Sequence, residues 1–331
     1  MTLRIGKAGA AILLVLALCA GASGCGGDSG DGAAESPPPP ANPEDFPKAA
    51  GKTIAQIEKE LGGEGPVLAP SVSQFAPGDN RFGFGLFDRS RAQIADAPAA
   101  LYVAPAGGGK TRGPIVARYE SLAVKAQFQS RSVSSDPDAA KSLYVADVSF
   151  ADAGRYEVLA VVRLDGHLVA AGNAGGAVTV AKASPVPEVG DPAPKVSTPT
   201  KADAGGDIGS IDTRQPPSTM HDADFADVVG KRPAILLFAT PALCQSRVCG
   251  PVVDIAEQVK ARRGKEAEFI HQEIFVDNEI DKGFRPQVLK WKLPTEPWVF
   301  AVDRRGRVAA RMEGAFSAAE LERAVDAAVK G

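Results

Sequence analysis

A chain of 331 residues, 44% of them hydrophobic, is long enough to build two domains, each with its own core. Its formal charge of -3, with acids and bases mixed along the chain, leaves no basic stripe and excludes nucleic acid as an expected partner. Cysteine is scarce and unevenly placed: Cys19 and Cys25 lie near the start, and Cys244 and Cys249 lie five residues apart towards the end.

Arg4 and Lys7 precede an apolar run over 8–20, followed by Gly21, Ala22, Ser23, Gly24 and Cys25. A basic start, a short apolar stretch and small residues make a secretory signal over 1–24, and the run is too short to span a membrane. The small residues directly before Cys25 resemble the lipobox of bacterial lipoproteins, with Ala22 where that motif more often has Leu. The resemblance implies that Cys25 is lipidated and becomes the mature N-terminus. The expected location is then the extracytoplasmic face of the cell membrane, held by a lipid anchor; ordinary cleavage and secretion is the other reading. With Cys19 removed and Cys25 lipidated, Cys244 and Cys249 remain, in a compartment where thiols oxidise. Residues 25–51, rich in Gly and Asp and then Pro, cannot bury a core and read as a tether, stiff and extended along the proline run at 37–40.

From 52 to 182 the pattern is strand-like. Short apolar runs at 81–87, 101–104, 115–119, 143–150, 156–162, 168–171 and 177–180 alternate with turn clusters. Asp165-Gly166 between two apolar pairs predicts a tight hairpin. Asp152-Ala-Gly154-Arg-Tyr156 resembles the Asp-x-Gly-x-Tyr of immunoglobulin-like sandwiches, although this part has neither cysteine nor tryptophan. The resemblance implies an all-β sandwich serving as spacer or binding module, in which the tyrosine hydroxyl bonds back to the backbone. Ala104-Pro-Ala-Gly-Gly-Gly109-Lys110-Thr111 fits a permissive phosphate-loop pattern, but a helix would have to begin at the Lys-Thr. Arg112-Gly113-Pro114 and β-branched Ile115-Val116 follow instead, so a turn between strands is expected.

Residues 183–224, rich in Pro, Gly, Ser, Thr and Asp, read as a linker or a wrapped N-terminal arm, and Val189-Gly-Asp-Pro192-Ala-Pro194 resembles the opening of redoxin domains. Over 225–331 the expected elements are a strand at 234–239, a cysteine loop, a helix at 252–263, a strand at 268–276 and a helix at 284–291. A strand at 298–302, a hairpin at 303–306, a strand at 307–312 and a helix at 317–329 complete them. Ser317 and Glu320 have capping-box spacing. This βαβ then αββα order resembles the thioredoxin fold. The whole is therefore expected to be multidomain: an immunoglobulin-like sandwich followed by an α/β thioredoxin-like domain.

The chemistry is carried by Cys244-Gln-Ser-Arg-Val-Cys249-Gly250-Pro251. A strand, a cysteine loop and a helix opened by Gly250 as N-cap and Pro251 place a thiol where the helix dipole favours thiolate. Both cysteines inside one regular helix would be roughly 8 to 9 Å apart at Cα. A disulfide needs less than about 7 Å, so the intervening loop must be non-helical. Cys249-Gly-Pro-Val252 is similar to the thioredoxin Cys-Gly-Pro-Cys with Val252 replacing the second cysteine; in that register Cys249 attacks and Cys244 resolves. In the other register Cys244 attacks, as in the peroxiredoxins that use Cys-x4-Cys, and the sequence does not choose. Peroxide chemistry fits less well, because Pro241 or Ser246 stands where a threonine or serine would bind peroxide. Arg247 is expected to favour thiolate, and the resemblance implies a cis bond at Glu296-Pro297, with Pro297 offering backbone to substrate; Pro294 is its competitor. His271 alternates with apolar neighbours and reads as an ordinary strand residue, with no metal or cofactor expected beyond the Cys244/Cys249 disulfide itself. The implied activity is thiol-disulfide exchange with exported proteins, with a redox partner the sequence does not identify. The competing reading is a binding module in which the disulfide is a staple.

Overall fold

The computed structural model describes residues 40–62, 65–244 and 247–331. The expected signal segment, Cys25, the expected tether up to residue 39 and Ser246 lie outside the described residues. Among the described residues no helix is long and apolar enough to cross a membrane.

The first part opens with α1 (Ile54–Leu61), started by a reciprocal cap in which the Gln56 amide donates to Thr53 Oγ1 and the Thr53 amide to Gln56 Oε1. Then come β1 (Val67–Pro70), β2 (Gly78–Phe87), β3 (Ala99–Pro105), β4 (Arg112–Val116), β5 (Arg118–Ser121), α2 (Arg131–Ser135), β6 (Ser142–Phe150), β7 (Gly154–Leu164), β8 (His167–Asn173) and β9 (Val178–Val180). The sheet runs β4-β3-β7-β8-β1-β2-β6-β5, with β9 on β7. Every pair of these strands is antiparallel except β1 with β8.

Alternate residues of β2 (Phe82, Phe84, Leu86), β6 (Tyr144, Ala146, Val148) and β7 (Val158, Ala160, Val162) enter one core. Strands from both halves of the path thus share an interior, so the sheet folds over itself. The Tyr156 hydroxyl donates to the Asp152 carbonyl at 3.0 Å and accepts from the Asp152 amide. Asp165 and Gly166, both at positive φ, make the two-residue turn between β7 and β8, and Gly109-Lys110-Thr111 leads into β4 with no helix. The expectation of an all-β part is corrected: α1, α2 and the parallel pair make it a mixed sheet with helices. The Thr53 cap starts α1, and Ile54 and Ile57, three apart, bury its inner face.

The second part contains α3 (Phe225–Val228), β10 (Ala234–Phe238), α4 (Cys249–Arg263), β11 (Glu268–Gln272), α5 (Pro286–Trp291), β12 (Trp298–Val302), β13 (Val308–Glu313) and α6 (Ala318–Lys330). Its sheet runs β11-β10-β12-β13, with β10 and β11 parallel and the other pairs antiparallel. The order is the βαβ then αββα that a thioredoxin-like fold requires. Along β10, Ile235 and Leu237 face α4 and α6, while Ala234, Leu236 and Phe238 face α3 and α5. Both faces of β10 are apolar because both are covered.

The two parts are joined by a core, not only by the chain. Leu122, Leu143 and Val145 of the first part pack in the same cluster as α4, α6 and β12. Arg81 on β2 forks onto Glu320 at 2.7 and 2.8 Å and also reaches the Ala315 carbonyl, which pins the first turn of α6. Residues 183–224 wrap the second sheet: Val186 and Ala193 enter its core, and the Ala193 amide donates to Gly306.

Candidate functional site

β10 carries the chain into a loop that ends where α4 begins. That helix starts at Cys249 rather than at 252: Val248 is the N-cap, and Gly250, expected as the N-cap, lies inside the first turn. Cys244 lies outside the helix, so the Cα atoms of the two cysteines come within 6.0 Å and the disulfide forms. Cys249 is fully buried in the core under α4, whereas Cys244 is partly buried at its edge. Cys244 is therefore a partly buried loop residue, while Cys249 sits at the positive end of a fifteen-residue helix.

The Glu296–Pro297 bond is cis, and Pro297 leads directly into β12. The residue before it is the one sequence reasoning missed. A carboxylate oxygen of Glu296 lies within 4.8 Å of both cysteine sulfurs. Its Oε2 is buried with no hydrogen-bond partner. Burial first, and the charge of Glu273 second, push Glu296 up to about 7. Glu273 accepts from the amide and hydroxyl of Thr213 at 2.7 and 2.8 Å, and Thr213 Oγ1 in turn accepts from the Ala242 amide in the cysteine loop. The only available signal was position: a carboxylate next to a proline already expected to be cis.

Arg247 turns away from the role expected of it. Its guanidinium pairs with Asp138 at 2.5 Å and Asp136 at 3.6 Å, and its carbonyl accepts from the Ala140 amide. Its charge is spent on the first part of the chain, so support for a thiolate falls to the helix N-terminus. The contact with Asp136 and Asp138 belongs to a larger surface. Ser130 donates its amide and hydroxyl to Asp254 on α4 at 2.8 and 3.1 Å, and the Lys125 amide donates to Gln258. Arg214 joins them, donating to Asp254 at 2.8 Å and to the Phe128 carbonyl. Val133 approaches Gly250 so closely that a Cβ there would meet its Cγ2 at 2.7 Å. The first part thus covers the start of α4.

Beneath the loop lies a second cluster of potential ligands, Asp212, His221 and His271, all buried. His221 Nε2 donates to Asp212 Oδ2 at 2.9 Å, and His271 Nδ1 is 3.3 Å from the same oxygen. His271 donates its Nε2 proton to the Ala239 carbonyl, so Nδ1 can face Asp212 favourably only if it too is protonated. Burial alone would lower the His271 pKa, but Asp212 outweighs it and holds the ring at about 9. His271 is therefore an imidazolium in a buried ion pair rather than an ordinary strand residue. A cleft of about 730 Å³ opens beside this cluster, lined by Arg131, Asp207, Thr213, Pro216, Ala242 and Asn278.

No protein-family model matches the chain, and no curated protein matches it. Among solved structures it is similar to a putative thiol:disulfide interchange protein DsbE from Chlorobium tepidum, at 18% identity, 43% of this chain, 99% of that chain and a TM-score of 0.31. It is also similar to a thiol:disulfide interchange protein of the thioredoxin family from Chlorobium tepidum TLS, at 19% identity, 45% of this chain, 99% of that chain and a TM-score of 0.29.

Proposed function

We propose that this chain is a thiol-disulfide oxidoreductase of the cell envelope, lipid-anchored through Cys25, that exchanges disulfides with exported proteins. One observation carries the reading: a disulfide joins a partly buried loop cysteine, Cys244, to a fully buried cysteine at a helix N-terminus, Cys249, beside a cis-proline. Cys244 takes the attacking role and Cys249 the resolving role, through a mixed disulfide. Pro297 offers backbone to an extended substrate segment. The first part is read as immunoglobulin-like, supported by its strand order and the Tyr156 bond to Asp152, and it forms a wall of the site. The reaction requires no cofactor beyond the cysteine pair.

The burial of Cys249 under the first part also favours a second reading, a binding module whose disulfide staples the loop. Alanine at Cys244 or Cys249 separates the two. Loss of disulfide exchange with a reduced, unfolded protein at little-changed melting temperature supports the enzyme. A drop of about 2 to 4 kcal/mol in stability, in a wild-type chain that shows no exchange, supports the staple.

A further inference from the structure

Carboxylates placed for structure in this molecule are saturated with donors: Glu320 has Arg81 on both oxygens, and Glu257 holds Thr219 with both of its own. Glu296 and Glu273 break that pattern, each leaving a buried Oε2 with no partner. The charge acting on Glu296 is that of Glu273, which is itself faced by His271 and Arg285. Desolvation of Glu296 and the Glu273 charge both favour its protonated form. Glu296 is partly buried, at the edge of the site, with an oxygen within 4.8 Å of both sulfurs. A gap of that length is within the reach of a proton relay through one water molecule.

We propose that Glu296, backed by Glu273, is the group that exchanges protons with the Cys244–Cys249 pair. The proposal rests on the oxidoreductase reading above and deepens it. In the mixed disulfide between Cys244 and a substrate sulfur, Cys249 begins as a thiol. The Glu296 carboxylate takes its proton, and the Cys249 thiolate attacks Cys244 Sγ. The Cys244–Cys249 bond forms as the bond from Cys244 to the substrate sulfur breaks. The electron pair leaves with the substrate sulfur, which takes the proton back from the Glu296 carboxyl. Over the full cycle the substrate disulfide gains two electrons and two protons, and the cysteine pair loses them. With a pKa of about 7, Glu296 is poised to act in either direction at neutral pH.

The test uses the full chain with Cys19→Ala and Cys25→Ala, reduced and then mixed with 5,5′-dithiobis(2-nitrobenzoate). Attack on this probe releases one thionitrobenzoate, and resolution by the second cysteine releases another. In Glu296→Gln the second release slows tenfold or more at pH 7, while the first stays within about twofold. Glu296→Asp falls between, and the inflection near pH 7 in the second release disappears in Glu296→Gln only. An unchanged second release, or a wild-type profile with no inflection there, overturns the assignment of Glu296. Because the probe is a small disulfide, these releases are read even in a chain that exchanges with no protein. Failure of the oxidoreductase reading, seen as no exchange with protein substrates, is thereby separated from failure of the Glu296 assignment.

Discussion

Asp212 accepts from two imidazoles and from the Ser218 amide inside a closed interior, and the balance there is set by charge. Burial of His271 opposes its protonated form, but the Asp212 carboxylate at 3.3 Å and Glu273 beyond it more than compensate, so its folded pKa of about 9 exceeds the ordinary 6.5. A raised histidine pKa stabilises the fold fully below the unfolded value, and that stability is lost as pH rises through the folded one. Denaturant melts should therefore lose stability of the order of 3 kcal/mol between pH 6.5 and 9. His271→Asn should be less stable at pH 6 and nearly flat across that window. A wild-type profile already flat there would show the ring to be neutral. Sequence reading missed this pair because Asp212 and His221 lie in the wrapped 183–224 segment, far in sequence from His271, and alternation along β11 gives only a buried position. Glu296 was missed for a related reason: its significance lies in where Cys244 and Cys249 end up, which a lone carboxylate does not announce.

The elements that sequence made legible are those whose signals are local. β12 has the expected limits, and α6 begins at the Ser317 cap, because apolar runs and capping residues act within a few positions. β11 ends at Gln272 rather than 276, since the chain turns there to bring Glu273 and the 276–278 turn to the site. β1 was overlooked because four residues ending in proline carry little pattern, although the partners on either side, β2 and β8, complete its sheet. Segment 122–140 was illegible as a neighbour of α4 because its contacts lie over a hundred residues away in sequence. Those contacts meet at Asp254, where Ser130 and Arg214 converge on a carboxylate that is 0% exposed. Removing one member of a buried ion pair strands the other, so Asp254→Asn should cost about 3 to 5 kcal/mol. Urea unfolding measures it, and a loss under about 1 kcal/mol would mean that α4 is held by its apolar face alone.

At the scale of the whole molecule, the apolar cluster under α4 contains Leu122, Leu143 and Val145 from the first part, and Arg81 ties β2 to the start of α6. Two sheets that share a core should unfold together. Far-UV circular dichroism follows both sheets, whereas Trp291 and Trp298 report on the second alone. Their transitions in urea should coincide; separated midpoints would show the two parts to be independent. The same arrangement places the first part over the helix that carries Cys249, so chemistry at the disulfide is expected to depend on both parts. Whether that disulfide is redox-active is decided by its reduction potential in the full chain, from equilibrium with dithiothreitol or glutathione and peptide-resolved alkylation of Cys244 and Cys249. A value between about -120 and -270 mV, the span of exchange proteins, is predicted, and one well below about -300 mV would identify a structural bond and contradict the oxidoreductase reading.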